Sequence, residues 1–189
     1  MTQSARKTEI LSQSAKLFRE RGFGGVSMRD IAQALDIKAA SLYNHITSKQ
    51  EILVSIVIQI AEEFTSGMES IAKSDSTSIQ KLEKLIELHI DITLRDPNEM
   101  ACLNNDWMHL EESNRAYFLK MRDEYEANFR QIVQTGITNH ELADIDIEVI
   151  SFTTLSTLRT LYLWLGKKTG RNFPQLRKDM ARVLLRGIV

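Results

Sequence analysis

The sequence predicts an all-α protein of about nine helices. Apolar residues recur at intervals of three and four along almost the whole chain, and no convincing stretch alternates with the period of two that a strand requires. Only two prolines, Pro97 and Pro174, interrupt 189 residues. The composition, 43% hydrophobic and 26% charged, is that of a globular protein. The apolar runs are short; residues 52–60 are broken by Ser55 and Gln59, far from the roughly 20 residues that span a bilayer. Residues 1–16 are polar and lack the apolar core of a signal peptide. Cys102 is the only cysteine, so no intrachain disulfide is possible and a reducing cytoplasm is the expected setting.

The elements follow in order. A first helix over residues 4–21 turns Ile10, Leu11, Leu17 and Phe18 inward and stops at Gly22, with Gly24 and Gly25 forming a loop. Ser27, with Asp30 three residues on, is an acidic variant of the capping box. It opens a short helix that buries Ile31, Ala32 and Leu35, and a second short helix follows over residues 38–44. Ser48 with Glu51 is a capping box proper and starts a long helix through Ile52, Ile56, Ile60 and Phe64. Residues 73–78 are a polar connector. The fifth helix carries Leu82, Leu85, Ile86 and His89 and ends at residues 96–98; the sixth covers residues 99–110. The seventh repeats Phe118, Met121, Tyr125, Phe129 and Ile132, and ends near Gly136. An eighth, expected to run unbroken over residues 146–166, is apolar around much of its circumference. A ninth begins at Pro174.

Net charge is −1, but it is unevenly spread. Residues 1–50 hold eight Lys/Arg against four Asp/Glu, a basic head on an acidic body, as a module that approaches phosphates requires. In the segment of residues 27–46, Leu35, Ile37 and Leu42 are apolar where two short helices must meet, and Ala32 is small where they cross. Lys38, Ala40, Ser41, Tyr43, Asn44 and His45 are left outward, a mixture suited to base edges and phosphates. Ser27, at the start of the first of these helices, joins the DNA-facing set. Tyr43 has a second reading, in which its ring packs on the domain and touches nothing else.

The run Ala-Lys-Leu-Phe-Arg-Glu-Arg-Gly-Phe-Gly-Gly-Val-Ser-Met-Arg-Asp-Ile-Ala, followed by Ser-Leu-Tyr-Asn-His-Ile-Thr-Ser-Lys-Gln-Glu-Ile-Leu, resembles the signature of the TetR family of transcriptional regulators over residues 6–54. The resemblance implies a three-helix helix-turn-helix head at residues 1–48 and a ligand-binding and dimerisation body at residues 49–189, with the helix of residues 48–72 connecting them. It also implies backbone contacts to DNA from Tyr43 and Lys49. Two positions depart from the family pattern: Asp36 stands where Gly is usual, and Ile46 where Phe is usual. Asp tolerates a left-handed backbone, so the turn is expected to survive.

The broad apolar circumference of the eighth helix calls for burial on more than one side. A second copy of the chain is the expected partner, through a four-helix seam of Leu155, Leu158, Tyr162, Met180 and Leu184; a central place within one chain is the alternative. The run of Arg122, Asp123 and Tyr125, and Trp164 ahead of Gly170, are similar to the acyl-CoA-sensing branch of the family. That likeness implies an apolar tunnel drawing on His89, Trp107, Met108, Phe118 and Phe152, with Arg122, Arg159 or Lys120 at its mouth. The bland reading is core packing, with Arg122 and Asp123 an intrahelical ion pair and His89 a core or pocket-wall histidine. No metal-ligand spacing, nucleophile motif or glycine-rich phosphate loop is found, so neither enzyme chemistry nor a cofactor or metal is expected. The expected function is a homodimeric regulator, most simply a repressor, that a small hydrophobic effector releases from a palindromic operator. An acyl-CoA thioester is the expected effector, with a drug-like molecule or a free acid as the alternative; a DNA-binding protein without effector, and a helical acyl-CoA-binding protein with a basic head, are the rivals.

Overall fold

The computed structural model describes residues 3–165 and 173–186. Ten α-helical segments and two 3-10 turns are found among these residues, and no strand. They are α1 (Gln3–Arg21), α2 (Met28–Ala34), α3 (Ala39–Tyr43), α4 (Lys49–Ala72), α5 (Ser78–Arg95), α6 (Pro97–Asn105), α7 (Glu112–Thr138), α8 (Ile147–Arg159), α9 (Leu161–Leu165) and α10 (Phe173–Leu185). The 3-10 turns are Phe23–Gly25 and Trp107–His109. No helix among the described residues is long and apolar enough to cross a membrane.

Local chemistry sets the boundaries. Gly22 ends α1 at φ +73°, a conformation that costs glycine nothing. Ser27 caps α2 in a complete box: its hydroxyl accepts the Asp30 amide while the Asp30 carboxylate accepts the Ser27 amide at 2.7 Å. Asp36 holds the turn into α3 at φ +53°, so the departure from glycine is accommodated as expected. At α4 only half of the anticipated box forms. Ser48 accepts the Glu51 amide at 3.1 Å, but the Glu51 carboxylate turns to the amide and hydroxyl of Thr47, each at 2.8 Å. Those bonds, led by the Thr47 amide, hold the Glu51 carboxyl below its ordinary range. Asp96 caps α6 through the amides of Asn98 and Glu99, with Pro97 in the first turn.

Two expected helices are shorter than their apolar pattern suggested. The sixth ends at Asn105 and gives way to the 3-10 turn at Trp107. The eighth breaks at Thr160, whose hydroxyl bonds back to the Ser156 carbonyl at 2.8 Å; Thr157 does the same to Thr153 at 2.9 Å. Such back-bonding competes with the helix ladder and bends it. Gly166 and Gly170, the expected end of that helix and its loop, lie outside the described residues.

Packing divides the chain into two compact units. The first combines residues up to Glu62 with Asp96–Leu119; the second combines Glu63–Arg95 with residues from Lys120 onward. This partition differs from a boundary at residue 48, because α6 packs along α1 and adds a later segment to the head. In the first unit Ile10, Phe18, Ile31, Leu42, Ile46, Ile52 and Leu53 are buried, and in the second Leu82, Ile90, Phe129, Val133 and Leu158.

Candidate functional site

In the first unit, α2 and α3 pack through Ile31, Ala32 and Leu42. Burial of Leu42, and of Ile46 just beyond α3, fixes which residues face out: Lys38, Ala40, Ser41, Tyr43 and Asn44 are all exposed. Tyr43 is 51% exposed, so its ring is not packed away. His45 is only half-exposed, and its Nδ1 is buried without a hydrogen-bond partner. Beside this row lies a concave patch of about 540 Å³ lined in part by Arg29, Gln33, Asp36 and Lys38. Arg29 and Lys38 are exposed and form no ion pair among the described residues. Arg29 escaped the sequence reading, although its place one residue past the start of α2 was a usable signal. Ser27 is exposed but its hydroxyl is occupied by Asp30, which its bonds hold below the usual carboxylate range.

Lys49 is engaged within the head. Its Nζ donates to the carbonyls of Phe23 and Val26, both at 2.7 Å, and sits 4.3 Å from the centroid of the Phe23 ring. Two of the three ammonium donors are therefore used to hold the loop that precedes α2.

The same loop is held from the far side of the sequence. The Phe23 amide donates to Asp106 Oδ1 at 3.3 Å, and the His109 ring stacks on Phe23 with centroids 5.3 Å apart. Gln50 donates to the His109 carbonyl at 2.6 Å, and Arg19 reaches Asn98 at 3.1 Å. Burial pushes the Asp106 carboxyl up, and the Phe23 amide partly offsets this. Sequence reasoning missed these contacts because more than eighty residues separate Phe23 from Asp106 and no local pattern marks the pair.

The residues expected to line a ligand tunnel do not share one compact unit. Trp107, Met108 and Phe118 belong to the first, where the Trp107 and Phe118 rings meet at 5.6 Å and Met108 is exposed. His89, Arg122, Phe152 and Arg159 belong to the second. There His89 Nε2 meets the Tyr125 hydroxyl at 2.9 Å, and the Phe64 ring lies 4.5 Å from the imidazole. Burial drives the His89 pKa down to about 3, with the Arg159 charge adding to the effect. Arg159 donates to Glu126 at 2.6 Å, and Arg122 stands 4.0 Å from Asp123; the long Lys120 side chain reaches Glu124 at 3.8 Å. Phe152 is 74% exposed and is no tunnel wall in the isolated chain.

The expected seam is likewise redrawn. Leu158 is 0% exposed, and Leu155 and Tyr162 are also buried within their own chain, so their side chains are already used in its core. Met180 and Leu184 are half-buried. Large apolar side chains that do face outward on these helices are Val149 and Phe152 of α8, Leu163 and Trp164 of α9, and Phe173 and Val183 of α10, the last 73% exposed. The two sets lie on the same helices a few residues apart, and sequence periodicity cannot say which stripe of an all-round apolar helix is left over.

A family model described as "Bacterial regulatory proteins, tetR family" matches residues 10–56, and one described as "Tetracyclin repressor-like, C-terminal domain" matches residues 75–188. The chain is 28% identical over 148 residues to the HTH-type transcriptional repressor KstR2 of Rhodococcus jostii strain RHA1, covering 77% of this chain and 72% of that one. Its fold is similar to that of the ketosteroid transcriptional regulator KstR2 of Mycobacterium tuberculosis, with a TM-score of 0.90 at 19% identity over 97% of this chain and 95% of the other. It is also similar in fold to AibR, solved in complex with isovaleryl coenzyme A and operator DNA, with a TM-score of 0.79 at 24% identity over 95% and 98% of the two chains.

Proposed function

The chain belongs to the TetR family of bacterial regulatory proteins, and from that premise we propose that it is a dimeric repressor, freed from a palindromic operator by a hydrophobic effector. The observation that carries the reading is the outward row of Lys38, Ser41, Tyr43 and Asn44, with Arg29 beside it. Bases are read by Ser41 and Asn44, and phosphates are met by Arg29, Lys38 and Tyr43. Dimerisation brings two heads to successive major grooves, roughly 34–36 Å apart. The outward Val149, Phe152 and Val183 support a two-fold seam, since apolar side chains this exposed gain by leaving water. The effector acts by binding the released arrangement better than the DNA-bound one, and only that difference in affinity switches the protein. Acyl-CoA thioesters are the first class to test.

The test is fluorescence anisotropy on DNA flanking the protein's own gene, at several salt concentrations, with and without acyl-CoAs of varied chain length. Binding that steepens as salt falls, and that an acyl-CoA abolishes, is the expected result. Protein that binds no segment of that DNA more tightly than scrambled duplex would overturn the repressor reading.

A further inference from the structure

The second unit contains a buried pair whose hydrogen bonding does not close on itself. His89 is 5% exposed, and its Nε2 shares a single hydrogen bond with the Tyr125 hydroxyl. Its Nδ1 is buried and has no partner. Two proton arrangements are open to the pair. Where Tyr125 donates to Nε2, the proton on Nδ1 is left over. Where Nε2 donates to the Tyr125 oxygen, the phenolic proton is left over and Nδ1 is a bare acceptor. Both arrangements leave a donor unmatched, and in the first, which leaves fewer hydrogen-bonding groups open, the missing partner of Nδ1 is an acceptor.

We propose that the His89–Tyr125 pair is the polar anchor of the effector site and takes the carbonyl oxygen of an uncharged ketone, ester or thioester. The inference rests on the effector reading above and narrows it by naming the group that is recognised. The surroundings favour an uncharged acceptor. Phe64 packs against the imidazole and meets Tyr125 edge-on at 6.1 Å. The positive charge that bears on both groups, Arg159, is already bound to Glu126. A carboxylate here would be buried beside a neutral imidazole without a counter-ion of its own, an arrangement that low-dielectric surroundings penalise heavily. A carbonyl oxygen brings an acceptor and no charge. The Ser151 hydroxyl of α8 is also buried without a partner in this unit.

The test uses the full-length protein labelled with ¹⁵N, in which only four histidine side chains need assignment. Octanoyl-CoA, its thioether analogue S-octyl-CoA, 2-octanone and octanoic acid are titrated while the His89 imidazole correlation is followed. The carbonyl-bearing thioester and ketone are expected to move that signal. The thioester is expected to bind about tenfold more tightly than the thioether, the share of one net hydrogen bond, and Tyr125→Phe or His89→Phe should erase the preference. A His89 signal unmoved by both the thioester and the ketone overturns the proposal and leaves a trapped water as the acceptor; so does a thioether that binds as tightly as the thioester. Operator anisotropy run in parallel separates the two readings. DNA release without a His89 shift keeps the effector and removes this anchor, whereas a His89 shift without DNA release keeps the anchor and removes the switch.

Discussion

In the first unit, charged and polar side chains are tied to the unit's own backbone: Lys49 to two carbonyls, Asp106 to an amide, Ser27 and Asp30 to each other. In the second, Phe152 and Val183 stand in solvent and the His89–Tyr125 pair has a donor to spare. A surface that must meet phosphates in many registers needs a stiff frame beneath it, and short polar ties provide one. In the second unit the open faces and the spare donor fit the proposed partner copy and ligand. The first unit also holds buried atoms without partners, Ser14 Oγ, His45 Nδ1 and Gln50 Oε1, so the contrast lies in where the bonding is left open, and it can be broken or sharpened at several points.

The largest effect separates two positions on one helix. Phe152→Glu on the outward face should leave the protomer folded but give a monomer by sedimentation, with operator binding lost. Leu158→Glu, six residues on, should instead prevent folding, since a charge without a partner in a core costs several kcal/mol or forces the group to neutralise. A folded, dimeric Phe152→Glu protein would show that the outward stripe is no interface.

Acid should expose the second unit's weakness. Because burial holds the His89 pKa near 3 rather than 6.5, the folded state binds fewer protons than the unfolded one between those values. Stability from this group is complete above pH 6.5 and falls as pH drops below it, by on the order of 1.4 kcal/mol per pH unit. Denaturant melts of the parent and of His89→Phe at pH 7 and pH 5 should differ in slope by that amount. Parallel pH profiles would mean that His89 charges freely in the fold.

Lys49 and its neighbours test the first unit. Lys49→Ala removes two charge-assisted bonds and should lower stability by about 2 kcal/mol while leaving the salt dependence of DNA binding nearly unchanged. Arg29→Ala or Lys38→Ala should do the reverse, barely touching the melt but reducing the salt slope by about one phosphate's share. A Lys49→Ala protein of parental stability with a flatter slope would return Lys49 to the phosphates. The smallest effect is Ser27→Ala, where loss of the cap should cost about 1 kcal/mol by thermal or chemical melting.

Much of this was legible in the residues. Capping at Ser27, the left-handed Asp36 and the outward set from Lys38 to Asn44 are local consequences of side chains within a turn or two of one another, which periodicity and cap chemistry can read. The break at Thr160 was also local, but it was hidden by the apolar run on both sides of it. The engagement of Lys49 and the inward turn of Leu158 were not legible. Each depends on what a distant segment presents, and a side chain's type does not say whether its partner is a phosphate or a carbonyl, its own core or another copy.

The grip of Asp106 and His109 on Phe23 bears on how the protein is made. The head leaves the ribosome before the groups that fix its loop, because Asp106 and His109 are encoded about sixty residues beyond α3, which ends at Tyr43. At roughly 5–20 residues per second, several seconds of synthesis separate the appearance of α3 from the arrival of His109. A nascent chain thus displays its recognition helix before that helix has its full mounting, and a truncated translation product ending in α5 would carry a head without those ties. Synthesis past residue 109 is the step at which the reading end of the molecule becomes finished.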